Sequence, residues 1–412
     1  ARGRPRLFCG GAELAGETTL EAAGVADGAQ LILVVSPLIR VLTTSADCTA
    51  KIWSVTTGEC DCLCTLEGHG LRINSGEFSA DGLLVATASS DSTAKVWDTA
   101  TGVCLRTLEG HSLCVNSAAF SSDGQAVVTA SEDFTAKIWA TASGELSCSL
   151  EGNACPVHSA LFLHDSQSVV TVAGSLRGAV KIWSSVSGEC LHTLEGHEHI
   201  VKSAATSSDG DSVITASGDC TAKVWSASSG VCLHTLEVHG LAVTSAAFSL
   251  DGLAAATASV DCTAKTWSTV SGSLVHSLEG HGLSVNSVAF SPDGLAVATA
   301  SSDGTAKIWS TATGECLHTL EVHRARVDSV AFSPDGLTLL TAASGRSEVK
   351  VWSAASGQCL HALEGHGGPV TSVVFARAGL PCRTVSRSRL PPALAPPAGP
   401  RTPLTSGSAE KK

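Results

Sequence analysis

The sequence predicts an all-β ring, an eight-bladed β-propeller, from three observations. Tryptophan recurs at positions 53, 97, 139, 183, 225, 267, 309 and 352, a spacing of 42 to 44 residues that marks an internal repeat. Each unit holds four short apolar runs bounded by Gly, Asp or Ser, the pattern of antiparallel strands joined by tight turns. Helical periodicity is absent throughout.

The elements follow in order within one unit. A Leu-Glu-Gly-His turn leads into "VNSVAFSPDG" (285–294), an apolar strand closed by a Pro-Asp-Gly turn. A second strand, "LAVATAS" (295–301), follows, then a tight turn at "SDGT" (302–305). A third strand ends in "AKIW" (306–309). The "TATGE" turn (311–315) and a fourth strand, "CLHTL" (316–320), return the chain to the next histidine. Eight tryptophans imply eight third strands. The first unit has no Gly-His turn before it, and Gly365-His366 has no tryptophan after it. These halves fit one blade, with "GPVTSVVF" (368–375) as its inner strand beside "IRVLTTS" (39–45), which removes open sheet edges. The competitor for that inner strand is "LILVVSP" (31–37), and seven complete blades plus a partial one is the alternative count.

Composition narrows the function classes. With 43% hydrophobic and only 4% aromatic residues, the core must be aliphatic around its eight tryptophans. Net charge is -12, while seven basic residues and one acidic residue lie at 377–412, so the remainder carries about -18. A body that acidic argues against nucleic acid as partner. No apolar run has the length of a membrane span, and no secretory signal is readable. Ala1 in first place and the absence of methionine are expected of a chain lacking its natural start. The Pro/Ala-rich basic tail, 376–412, is expected to be disordered.

Of sixteen cysteines, nine occupy equivalent repeat positions, too far apart for disulfides. Cys48, Cys220 and Cys262 hold one position, and Cys60, Cys104, Cys190, Cys232, Cys316 and Cys359 hold another. They are expected to be small buried hydrophobes in a reducing compartment, cytoplasmic or nuclear. The run "CDCLC" (60–64) matches no zinc spacing, and no metal or other cofactor is expected.

The period, the Gly-His turn, the turn aspartate and the tryptophan together resemble the WD-repeat β-propeller family over residues 37–375. Only Trp97-Asp98 keeps the dipeptide that names it. The resemblance implies a buried relay in which Asp accepts from His, His meets a hydroxyl, and the hydroxyl meets the indole N–H. His69, Thr87, Asp91 and Trp97 form one such set, and His111, Thr129, Asp133 and Trp139 another. The same spacing returns in His197, Thr215, Asp219 and Trp225, in His239, Thr257, Asp261 and Trp267, and in His281, Thr299, Asp303 and Trp309. Ring closure would complete a sixth from Thr43, Asp47, Trp53 and His366. A catalytic constellation occurs once in an enzyme. One recurring in nearly every blade is scaffold, and no catalytic residue is expected.

Departures from the repeat locate candidate contacts, because in the family the Gly-His loop and the aspartate turn share one rim. The unit ending at Trp183 has Asn153 for histidine and Arg177 for aspartate, and the unit ending at Trp352 has Arg346 there. These are blades four and eight, half a turn apart. Drift in tolerant turns is the plain reading and a pair of basic clamps the sharper one. Leu71, Leu113, Leu241 and Leu283 stand two positions after the histidines, with His199 equivalent, and would form an apolar patch. Arg72, Arg324 and Arg326 add positive charge suited to an acidic or phosphorylated peptide. Asn74, Asn116, His158, Lys202, Thr244, Asn286, Asp328 and Thr371 are expected to rim the channel. An enzyme would need Asp328, Lys202 and His158 to converge there. The outer-strand histidines His192, His234, His276, His318 and His361 are expected to be solvated.

The expected function is a non-catalytic scaffold that binds proteins or peptides on the propeller face, monomeric within a larger complex. Residues 1–35, through "RPRLFCGGAELAGETTLEAAGVADGAQLILVV", are similar to the second half of a ubiquitin-like β-grasp domain. That outline resembles Notchless-type ribosome-assembly proteins. The "TASxDxTAKxW" phrasing also resembles axonemal dynein assembly factors, and ubiquitin-ligase substrate receptors are a fourth alternative.

Overall fold

The computed structural model describes residues 39–56, 59–174, 180–321, 325–343 and 345–376, together with short strands elsewhere known by backbone pairing alone. Among the described residues every regular element is a strand. Eight antiparallel sheets, seven of four strands and one of five, make the eight blades, numbered here by tryptophan from Trp53. Consecutive inner strands pack against one another around the ring, Val327–Phe332 against Val370–Phe375 and Val370–Phe375 against Ile73–Phe78 included, except between blades 4 and 5, where the main contact is the second strand Ser168–Ala173 against Val201–Thr206.

The C-terminal strand closes the ring. Blade 1 runs Val370–Phe375, Ile39–Ser45, Ala50–Val55, Cys60–Leu66, with Val373 paired to Thr43 and Phe375 to Val41. Leu31–Val35 pairs instead with Pro5–Cys9, which also pairs with Ala12–Leu14, so it is not the inner strand of blade 1. Within the segment expected to be disordered, Arg383–Val385 pairs antiparallel with Ala204 to Thr206 as a fifth strand on blade 5.

The core lies between blades, because each sheet has two faces and each must be covered. One cluster joins Ala247, Ala256, Ala258 and Leu278 of blade 6 to Val285, Val288, Val297 and Trp309 of blade 7. Across the closure, Leu340, Val351 and Leu363 of blade 8 meet Val41, Trp53, Val370 and Phe375 of blade 1. Second strands are buried almost end to end, as in Ala254–Ser259, while outer strands such as Cys104–Leu108 bury only their last residue. The alternating small and branched residues therefore read as strands covered on both faces.

Two repeated irregularities stitch neighbouring blades. In every inner strand the register shifts across the second residue, for example between Val285 and Ser287. A bulge of this kind re-aims one side chain. Asn74 Nδ2–H donates to Val115 O at 2.8 Å, Asn116 to Val157 O at 3.0 Å and Asn286 to Val327 O at 2.7 Å. Thr244 and Thr371 reach Val285 O and Ile73 O, both at 2.6 Å. These five positions, expected to rim the channel, are spent on the next blade.

The periphery repeats the device. His192 Nε2–H donates to Ser228 O at 2.9 Å, and His318 and His361 donate to Ala355 O and Thr56 O, each at 3.0 Å. For these three of the five outer-strand histidines the expected role as solvated edge residues is corrected: each spans to the following blade. The receiving turn must approach closely, and a Cβ at Gly230, whose φ is +68°, would stand 2.8 Å from His192 Cβ. The cysteine expectation also needs correction. Cys62, Cys104, Cys190, Cys316 and Cys359 are exposed and the other described cysteines half-buried, because the outer strand covers nothing beyond itself. Burial still pushes the Cys60 thiol up, with Asp61 and Cys62 adding to it, to about 11.

Candidate functional site

Each blade has two ends of different character. The loop entering the inner strand and the turn between second and third strands share one end, tied by bonds such as Gly70 N–H to Asp91 Oδ2 at 2.9 Å. The other end carries the remaining two turns, tied by Thr99 N–H to Leu83 O at 3.0 Å.

The first end is built by the polar relay. In blade 6, Trp267 Nε1–H donates to Thr257 Oγ1 at 2.9 Å, and Thr257 Oγ1 stands 2.8 Å from His239 Nε2. His239 Nδ1 stands 2.9 Å from Asp261 Oδ2. An ionised carboxylate only accepts, so Nδ1 carries the proton and Nε2 accepts from the hydroxyl. The same contacts hold His69, Thr87, Asp91 and Trp97. They recur for His111, Thr129, Asp133 and Trp139 and for His197, Thr215, Asp219 and Trp225. His281, Thr299, Asp303 and Trp309 repeat them. In blade 1 the set is assembled from both chain ends: His366 lies 2.8 Å from Thr43 and 3.1 Å from Asp47, and Trp53 donates to Thr43 at 2.8 Å.

The electrostatics keep this relay neutral at histidine and charged at aspartate. Burial lowers the six histidine pKa values below the usual 6.5, and the facing aspartate opposes that only in part. Burial by itself raises the six carboxyls. Hydrogen bonds from the turn threonine, the histidine and backbone N–H groups outweigh it and bring each to about 2. Both shifts run away from neutrality, whereas a general acid or base is tuned toward it.

Blade 4 lacks the relay. Thr171 Oγ1 reaches Asn153 Oδ1 at 3.4 Å, Trp183 still donates to Thr171 at 2.8 Å, and Asn153 Nδ2 is buried without a partner among the described residues. Arg177 and Arg324 lie outside the described residues. Arg346 is exposed in blade 8, and its backbone carbonyl accepts from Val370 N–H of blade 1 at 2.8 Å.

The leucines named from the sequence stand open on the relay-bearing end. Leu71, Leu113, Leu241 and Leu283 are 53%, 51%, 50% and 53% exposed, in blades 2, 3, 6 and 7. Arg72 and His199 are exposed beside them. Arg326 Nε–H donates to Asp328 Oδ1 at 2.6 Å, so part of its charge is met within blade 8. Among the described residues no group of three or more His, Cys, Asp and Glu could hold a metal ion, and no helix is long and apolar enough to cross a membrane. The sequence reading missed the inter-blade role of the bulged residues. Their recurrence one position after a valine or isoleucine was visible, but their aim was not.

The WD domain, G-beta repeat family profile matches residues 60–98, 102–140, 188–226, 230–268, 272–310 and 314–353. The unmatched gap at 141–187 contains Asn153 and most of blade 4. A crystal structure of the computationally designed Ika8 protein is similar to this chain, at 30% identity and a TM-score of 0.66. The match covers 77% of this chain and 97% of that one. Among curated proteins, none matches.

Proposed function

The chain belongs to the WD domain, G-beta repeat family, and on that premise we propose that it is a non-catalytic scaffold binding proteins or peptides on the relay-bearing end of the ring. The carrying observation is the set of four half-exposed leucines, paired on blades 2 and 3 and again on blades 6 and 7. Exposed apolar groups held on a rigid rim usually mark a partner surface. Arg72, Arg326 and Arg346 supply guanidinium groups for an acidic or phosphorylated partner peptide. Arg177 and Arg324, which belong to the same reading by sequence, extend it. The cysteines fit a reducing compartment, cytoplasmic or nuclear.

A second reading is ribosome assembly of the Notchless type. The observation favouring it is the pairing of an eight-bladed ring with a small separate sheet of Pro5–Cys9, Ala12–Leu14 and Leu31–Val35 upstream.

The test is affinity capture with the full chain beside a variant carrying Leu71→Asp, Leu113→Asp, Leu241→Asp and Leu283→Asp. A control carries Leu253→Asp and Leu295→Asp on the opposite end. The relay-end variant is expected to lose partners that the control keeps, at unchanged melting temperature. Equal partner sets from both variants and the wild type would overturn the reading.

A further inference from the structure

We propose that the entry to the inner strands of blades 4 and 5 is an anion-binding subsite, built by Lys202 with His158 and His199, for a carboxylate or phosphate carried by a partner peptide. It rests on reading the relay-bearing end as the partner-binding one.

The bulged inner-strand position decides the first step. In five blades it holds Asn or Thr, whose side chain is bonded to the neighbouring blade. Blades 4 and 5 hold His158 and Lys202 at this position, also skipped in the strand register. Lys202 is exposed although both flanking residues are buried. A lysine here forgoes the clasp that Thr244 makes in the next blade, so stability alone does not account for it.

Two glycines supply the second observation. The residue following the second strand is Ser90, Glu132, Val260 or Ser302 in blades 2, 3, 6 and 7, but Gly174 and Gly218 in blades 4 and 5. Neither glycine has a left-handed φ, so the backbone does not require it. A Cβ at Gly218 would stand 2.5 Å from His199 Nδ1, and one at Gly174 would collide with His158 Nε2. The space a side chain would fill is occupied by an imidazole in each of these two adjacent blades.

Charge supplies the third. Partial desolvation against its buried neighbours, then the nearby Arg326 guanidinium, hold the Lys202 ammonium below the usual lysine range. Arg326 is engaged with Asp328, leaving Lys202 as surplus positive charge in a chain of net charge -12. Two cations held near one another in partly desolvated surroundings repel, and an anion beside Lys202 relieves that repulsion.

The probes are inorganic phosphate, a tetra-aspartate peptide and a phosphoserine peptide of equal length, titrated calorimetrically into the full chain at low ionic strength. Binding by wild type is expected, and Lys202→Thr, which installs the residue blade 6 uses, is expected to weaken it about tenfold or more. Gly218→Val, which evicts His199 with the residue blade 6 uses, is expected to weaken it as well, whereas Lys95→Gln on the flank of blade 2 is not. The stronger of the two peptides identifies the anion. No heat from any probe, or wild-type affinity in both subsite variants, overturns the proposal. The four-leucine variant should bind phosphate normally, so failure of the partner-face reading is distinguishable from failure of the subsite.

Discussion

At the scale of single residues, one hydroxyl does two jobs. Thr257 Oγ1 serves both Trp267 and His239 deep between strands. Thr257→Val keeps the shape and leaves an indole N–H and an imidazole nitrogen without partners, an expected loss of about 2–3 kcal/mol. Thr171→Val should lose only about 1–2 kcal/mol, because in blade 4 the second contact is the long one to Asn153. Denaturant midpoints of the two variants give the comparison, and equal losses would deny the relay its extra link. The same relay sets the response to acid. Its histidines have folded pKa values below 6.5, so on descending through 6.5 the unfolded chain takes up protons first and stability falls. The aspartates, at about 2 when folded against 3.8 ordinarily, add a second fall from about pH 4 downward. Melting temperatures should therefore drop between pH 7.5 and 5.5. A flat profile there would mean that the relay histidines are charged in the fold.

At the scale of elements, the turn between second and third strands is strained in several blades. Cys48, Ser92, Phe134, Cys220 and Cys262 hold φ near +70°, where blade 7 places Gly304 at +86°. Left-handed backbone disfavours a side chain by about 1–2 kcal/mol, partly offset by the entropy glycine loses on folding. Phe134 is also about half exposed, so Phe134→Gly is expected to raise stability by up to about 1 kcal/mol, read as a shifted denaturation midpoint. The turn itself was legible from "SDGT", because Asp and Gly there have a known backbone preference. The strands were legible because alternating apolar residues between such turns admit little else. What sequence reasoning got wrong depends on the neighbour. Whether His192 is solvated or bonded to Ser228, and whether Cys104 is covered, follows from where the adjacent blade lies, which no local pattern encodes.

At the scale of the molecule, eight wedges that each bury one face on the next are stable only as a closed circle. The candidate subsite at Lys202 and the leucine rim both take their positions from that circle. Closure was readable as a missing half at each end of the repeat array, with two candidate strands to supply it. Pairing of Val370–Phe375 with Ile39–Ser45 decides between them, and the closing core of Val41, Trp53, Val351 and Phe375 follows. The most direct test is amide hydrogen exchange of Ile39–Ser45 in the full chain. Bonded on both sides, its amides should exchange as slowly as those of Ala254–Ser259 in blade 6. Exchange as fast as in the one-sided outer strand Leu274–Leu278 would contradict the closed eight-bladed ring.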